Sequence, residues 1–262
     1  MNSRAIKLIA AISLAIACTQ AHAGIIGWTT VGNSGTSTSN DGVVAIPSGQ
    51  SSVNWISTNG GVNGNNGGYG GTDGSTVTSN PFAVSTGGTA LTFQFDFITS
   101  DGTSSFPDYA WANLYAVGGS NPVATLFTAT TNPSGSAVPG TGAGLPSISA
   151  TINPANVVIN SGAGSTVWSP LGTNSGQCWG GYGNGCGNTG WVSASYNIAI
   201  PGSYVLTFGV ANASDNLYDS GLAFSGAAVG GTSINNVPEP SDFALFGLSL
   251  VGMAFLRRRK QV

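Results

Sequence analysis

Between Ala23 and Arg257 the chain contains no lysine, arginine or histidine. Without histidine there is no Ser-His-Asp or Cys-His catalytic set and no imidazole metal ligand. Without lysine there is no Schiff base, and without arginine no clamp for phosphate. Nucleic-acid binding, which needs cations against the phosphates, is excluded as well. Charge of either sign is scarce: charged residues make up 6% of the 262, against about 25% in an average soluble domain. The central charge that exists is acidic: Asp41, Asp73, Asp96, Asp101, Asp108, Asp215 and Asp219, with no glutamate before Glu239. A mean hydropathy of +0.18 does not describe a multi-span membrane protein.

Polarity is carried instead by Ser, Thr, Asn and Gly, with 41 glycines and 12 prolines in the chain. That composition suits short strands joined by turns and opposes helical bundles and coiled coils. Leu91 to Ile98 alternates apolar and polar residues with period two, as a half-buried strand does. Tyr204 to Val210 repeats the pattern, and Asp108 to Val117 and Trp191 to Ile200 are two more long candidates. Shorter ones are 25–31, 43–46, 53–57, 76–79, 123–129, 148–152, 157–160 and 217–225. No helical period is present in 24–236, and no fixed-period repeat favours a β-helix. The expected fold is all-β, an antiparallel, jelly-roll-like β-sandwich over 24–225. The Gly/Asn-rich 58–74 and the Pro/Gly-rich 132–146 are expected as long mobile loops, and 226–236 as a flexible linker.

The two ends carry addresses. Residues 1–23 have the form of a signal peptide: Arg4 and Lys7, an apolar Leu8 to Ala17, then Ala21-His22-Ala23, with cleavage expected between Ala23 and Gly24. Cys18 offers a rival reading as a lipoprotein acylation site, but the leucine expected three places upstream is missing. At the other end stand Val237, Pro238, Glu239 and Pro240, then an apolar stretch, a candidate transmembrane helix over about 242–256, and the basic cluster Arg257, Arg258, Arg259 and Lys260. The prolines keep the motif extended. The apolar stretch is short for a permanent span, which needs about 20 residues. The basic cluster stops transfer by the positive-inside rule.

This tripartite tail, residues 237–260, resembles the PEP-CTERM sorting signal of Gram-negative bacteria, a tail type that also carries the name ice-binding-protein C-terminal domain. The resemblance implies recognition of Pro238-Glu239-Pro240 by an exosortase, removal of the tail, transient anchoring in the inner membrane, and a final place at the cell surface or in an exopolysaccharide matrix. An ordinary anchor that stays in place is the alternative. Gly27-Trp28-Thr29, Thr99-Ser100-Asp101-Gly102 with Asp108-Tyr109-Ala110-Trp111, and 215–222 (DNLYDSGL) are similar to ectodomains of small PEP-CTERM proteins. That likeness implies a β-sandwich and no established activity.

Once the signal peptide is removed, two cysteines remain, Cys178 and Cys186, separated by WGGYGNG. In an exported, oxidising compartment they are expected to form a disulfide. Trp179 and Tyr182 sit inside that loop. They either form a platform for sugar rings or a partner, or fold back to cover the end of the sandwich. Trp55 and Tyr69 face the same choice, whereas Trp28, Trp111, Trp168 and Trp191 are expected in the core or on the sheets. Asp101, Asp108, Asp215 and Asp219 are the candidate ligands of a calcium ion, since clustered carboxylates without cations repel. The alternative is turn capping by Asp in SDG and SDN contexts. Paired carboxylates alone suit glycoside hydrolysis, but nothing else charged is present to hold a sugar, and no catalytic residue is assigned. The chain is therefore expected to be a non-enzymatic surface or matrix protein with a structural or adhesive role in exopolysaccharide or biofilm. A lectin-like module, calcium-dependent or not, is the alternative. Ice binding is disfavoured because the threonines form no regular array.

Overall fold

A computed structural model describes residues 25–133, 135–141, 144–183 and 185–234. The signal segment with its cleavage point, the sorting motif at 237–240, the apolar helix expected at 242–256 and the basic cluster lie outside these residues. In chain order the described strands begin with β1 (Trp28–Val31), β2 (Asn33–Ser37), β3 (Val53–Ser57), β4 (Val62–Asn63), β5 (Asp73–Ser79), β6 (Phe82–Val84), β7 (Thr89–Thr99) and β8 (Tyr109–Ala116). They continue with β9 (Ala124–Thr130), β10 (Thr151–Asn153), β11 (Gly187–Asn188), β12 (Val192–Ile198), β13 (Gly202–Ala211), β14 (Ser220–Val229) and β15 (Thr232–Ser233). A short 3₁₀ segment, Ser169–Asn174, is the helical element among them.

Two antiparallel sheets result. One has the path β1-β5-β13-β8-β9, with β4 on β5 and β6 on β13. The other runs β10-β12-β7-β14-β3-β2, with β11 on β7 and β15 on β14. The expected antiparallel sandwich is therefore the observed one. Its centre is aromatic: Phe93, Phe95 and Phe224 from one sheet meet Phe127 and Phe208 from the other. Phe95 stacks on Phe127 with centroids 3.7 Å apart, and Phe208 on Phe224 at 4.2 Å. Leu91, Phe93, Phe95 and Phe97 all enter this core, as the period-two pattern requires.

The outer faces of the sheets are also covered, by loops. Tyr69 and Leu145 pack on Tyr109, Trp111, Ala211 and Ala213 outside the first sheet. Val44, Trp168 and Leu171 pack on Val53, Ile98 and Ala223 outside the second. Asp96, on the polar side of β7 by pattern, is consequently buried.

Several expectations are corrected. Segment 58–74 is anchored rather than mobile. It contains β4, Tyr109 Oη donates to Asn66 O at 2.9 Å, and Gly71 N donates to Tyr109 Oη at 2.9 Å. Within 132–146, residues 135–141 are likewise held: Ala137 and Val138 are fully buried, and Thr130 N and Gly140 N bond across to Ala137 O and Thr128 O. The linker expected from 226 begins later, because β14 runs to Val229 and turns into β15, with Ala227 buried in the core. Two short strand candidates, 43–46 and 157–160, make isolated bridges instead: Val44 with Asp41, Val157 with Val138, and Asn160 with Asn188.

Candidate functional site

At one end of the sandwich the interior changes from aromatic to polar. The Ser220 hydroxyl donates to Asp108 Oδ2 at 2.6 Å and lies 2.8 Å from the Thr99 hydroxyl, which is 3.2 Å from that of Thr131. Ala213 N donates to Asp108 Oδ1 at 2.9 Å, so both oxygens of this fully enclosed carboxyl are satisfied. Burial nevertheless raises its pKa well above the ordinary carboxylate value. Next to this plug lie 58–61, 100–107, 173–183, 185–186 and 212–219.

The 178–186 loop is pinned twice. Cys178 and Cys186 form the expected disulfide, with Cα atoms 5.5 Å apart. Trp179 N donates to Ser100 O at 2.8 Å, and Gly185 N to Gly102 O at 2.7 Å, which docks the loop on the turn that follows β7. Trp179 stays 45% exposed and meets Tyr218 with centroids 5.3 Å apart. Tyr182 is also exposed, and its hydroxyl donates to Gly176 O at 2.8 Å. Leu217, beside Tyr218, is 63% exposed. The other two aromatic candidates turn inward. Tyr69 lies edge-on to Trp111 at 5.6 Å, and Trp55 packs on the cluster outside the second sheet.

Next to the aromatic pair opens a cleft of about 490 Å³, lined by Thr58, Asn59, Asp73, Asn174, Gln177, Asn216, Leu217, Tyr218 and Asp219 with glycine and threonine backbone. Tyr218 thus belongs both to the cleft and to the pair with Trp179. Its floor is tied together by hydrogen bonds. Thr58 Oγ1 donates to Asp219 Oδ1 at 3.2 Å, Asp219 N to Asn174 Oδ1 at 3.2 Å, and Asn212 Nδ2 to Asp73 Oδ1 at 3.1 Å. Thr72 donates its hydroxyl to Asp215 O. With the Asn216 amide oriented so that its nitrogen faces these acceptors, it donates to Asp215 O at 2.8 Å and Asp73 Oδ1 at 3.3 Å. Burial pushes the Asp219 carboxyl up to about 6 and raises that of Asp73. Asn212 Oδ1, behind the cleft, is fully buried without a donor.

The four aspartates expected to share a calcium ion are distributed over this end of the molecule. Asp108 is sealed in the plug. Asp101 is buried on the β7 turn, where Thr103 N donates to its Oδ1 at 3.4 Å, and burial lifts it to about 7. Asp215 caps its own turn by accepting from Leu217 N at 2.9 Å. Asp219 alone of the four lines the cleft. Among the described residues, no group of three or more His, Cys, Asp or Glu could hold a metal ion. Sequence reasoning missed Asp73, which stands 146 positions from Asp219 in the chain and shares the cleft because β3 ends and β5 begins there. It also missed Tyr218, whose left-handed backbone (φ 58°) turns the side chain toward Trp179.

The chain carries a PEP-CTERM protein-sorting motif at residues 236–260. Such tails are characteristic of exported proteins of Gram-negative bacteria that are membrane-anchored before processing by an exosortase. Among the described residues no helix is long and apolar enough to cross a membrane. No curated protein sequence matches the chain. Among solved structures it is similar to the enzymatically active domain of tailspike protein 4 of bacteriophage CBA120, at 11% identity and a TM-score of 0.35, over 79% of this chain and 20% of that one. It is similar to TmCBM61 in complex with beta-1,4-galactotriose, at 10% identity and 0.34, over 77% and 88%. It is also similar to a CBM4 structure, at 12% and 0.32, over 78% and 93%. The chain thus spans a fifth of the length of that tailspike domain, and likenesses this distant carry nothing about binding.

Proposed function

We propose that the protein is a non-catalytic surface or matrix protein, delivered by its sorting tail, whose sandwich holds extracellular polysaccharide in the cleft beside Tyr218. The observation that carries this reading is the juxtaposition of an amide-, hydroxyl- and carboxylate-lined cleft with the exposed Trp179–Tyr218 pair. A sugar ring presents hydroxyls at its edge and C–H groups on its faces. A site for it needs hydrogen-bonding groups on one wall and an aromatic surface on another. The disulfide and the two backbone bonds to the β7 turn hold the aromatic wall in place before ligand arrives, which lowers the entropy lost on binding.

A purely structural role in exopolysaccharide or biofilm is the second reading, supported by the surface-directed tail together with a domain whose polarity is almost wholly uncharged. Binding of the purified full chain to a panel of bacterial polysaccharides, with calcium and with chelator, separates the two. The expected result is saturable binding to one glycan class, weakened about tenfold or more by Trp179→Ala. Absence of saturable binding to every glycan under both conditions leaves the structural role.

A further inference from the structure

The cleft is rich in hydrogen-bond acceptors and poor in positive charge. Asp73 and Asp219 both line it, and between Ala23 and Arg257 the chain has no lysine, arginine or histidine to pair with either. Asp73 Oδ1 already receives Asn212 Nδ2, and Asp219 Oδ1 the Thr58 hydroxyl. Beside Asp73, Asn212 is fully buried, and its Oδ1 has no donor at all. The lining offers neutral donors on Asn59, Asn174, Gln177 and Asn216 and on its hydroxyls; what it lacks is a charged donor for its two carboxylates.

We propose that the cleft selects amino sugars carrying a free ammonium group and rejects anionic glycans. The proposal rests on the reading of this cleft as a glycan site. A glucosamine unit supplies what the wall lacks: an ammonium for Asp219 and a pyranose face for Tyr218 and Trp179. The charge-assisted bond between ammonium and carboxylate is stronger than a neutral one. N-acetylation removes that charge while leaving the ring. A uronate or sulfated sugar brings a second anion to a wall with two carboxylates and no compensating cation, so it is repelled. A divalent cation satisfies the acceptors but offers the aromatic pair nothing to cover. Moreover, no group of three acidic or other ligating side chains gathers among the described residues.

The test uses the full chain in mild detergent and three probes of equal length: oligomers of glucosamine, of N-acetylglucosamine and of galacturonate. The glucosamine oligomer is expected to bind about fivefold or more tightly than its acetylated counterpart, and the galacturonate oligomer not at all. Asp219→Asn is expected to bring the two amino-sugar affinities together while leaving the acetylated oligomer bound. Should that variant fold poorly, salt serves instead. Raising it from about 50 to about 500 mM is expected to weaken the glucosamine oligomer selectively. Equal affinity of wild-type protein for both amino-sugar oligomers, insensitive to salt, overturns the selectivity and leaves glycan binding standing. Binding that disappears with chelator overturns it in favour of a metal-dependent site. No binding of any probe or polysaccharide removes both readings.

Discussion

At the scale of single residues, the tryptophans explain part of the glycine content. Trp111 lies across Gly209, its partner on the neighbouring strand, and beneath Gly67. A Cβ added at Gly209 would stand 2.1 Å from the indole, and one at Gly67 2.5 Å. Trp168 covers Gly221 in the same way at 2.4 Å. Large rings lie flat on a sheet only where the strand beneath carries no side chain, so glycine within a strand here marks close approach rather than a turn. Gly209→Ala is therefore expected to destabilise the fold by about 2–3 kcal/mol, as overpacking of a buried site does. A fall of roughly 5–10 °C in the thermal midpoint checks it. An unchanged midpoint would mean that the Trp111 ring can shift, against its fully buried packing under Tyr69.

At the scale of elements, the decisive strand is β14. It sits at the middle of its sheet between β7 and β3, and its second half shifts register between Ser225 and Ala228 before the hairpin into β15. A chain ended after 225 loses Ala227 and Val229 from the core and the cover of Ile234. It is expected to be largely insoluble, whereas a chain ended after 234 keeps a cooperative melting transition; sedimentation and thermal melting decide. Period-two alternation made β7 and β13 legible from sequence, and β8 and β12 were legible as long strand-forming runs; each of the four has one face on the aromatic core. Asn33–Ser37 was not legible: its residues are small and polar, and it pairs only because Gly32, with φ of 90°, carries the chain from one sheet edge to the other. The anchored 58–74 segment was hidden for a related reason. Its glycines and asparagines read as loop, while what fixes it is Tyr69 docking on rings that lie about 40 positions later in the chain. Of the candidate site, the disulfide and Trp179 were visible in local spacing. The cleft itself was not, since Thr58, Asp73, Asn174 and Asp219 are brought together by topology.

At the scale of the whole molecule, the fold encloses carboxyls without enclosing any cation. Burial pushes Asp96 and Asp101 up to about 7 and Asp219 up to about 6, and lifts Asp108 well above its ordinary value. Asp96 shows the cause most directly: Thr189 Oγ1 donates to its Oδ1 at 3.1 Å, but its Oδ2 is buried without a donor. A group whose folded pKa is raised binds its proton more tightly in the native state than in the unfolded chain. Its stabilising contribution is complete below the unfolded value of about 4 and is lost as pH rises through the folded one. Between about pH 4 and pH 7 the native state therefore holds protons that the unfolded chain has released, and stability falls as pH rises. The thermal midpoint is expected to be roughly 5–10 °C higher at pH 5 than at pH 8. This is the reverse of acid denaturation driven by ion-paired carboxylates, which this domain does not contain among its described residues. Asp96→Asn, uncharged at every pH, is expected to flatten part of that slope by raising the midpoint at pH 8. A midpoint at pH 8 equal to or above that at pH 5 would mean that the enclosed carboxyls ionise within the fold. A chain with no central cation of its own could sustain that only by borrowing one from solution, and the same melts repeated with chelator would show whether it does.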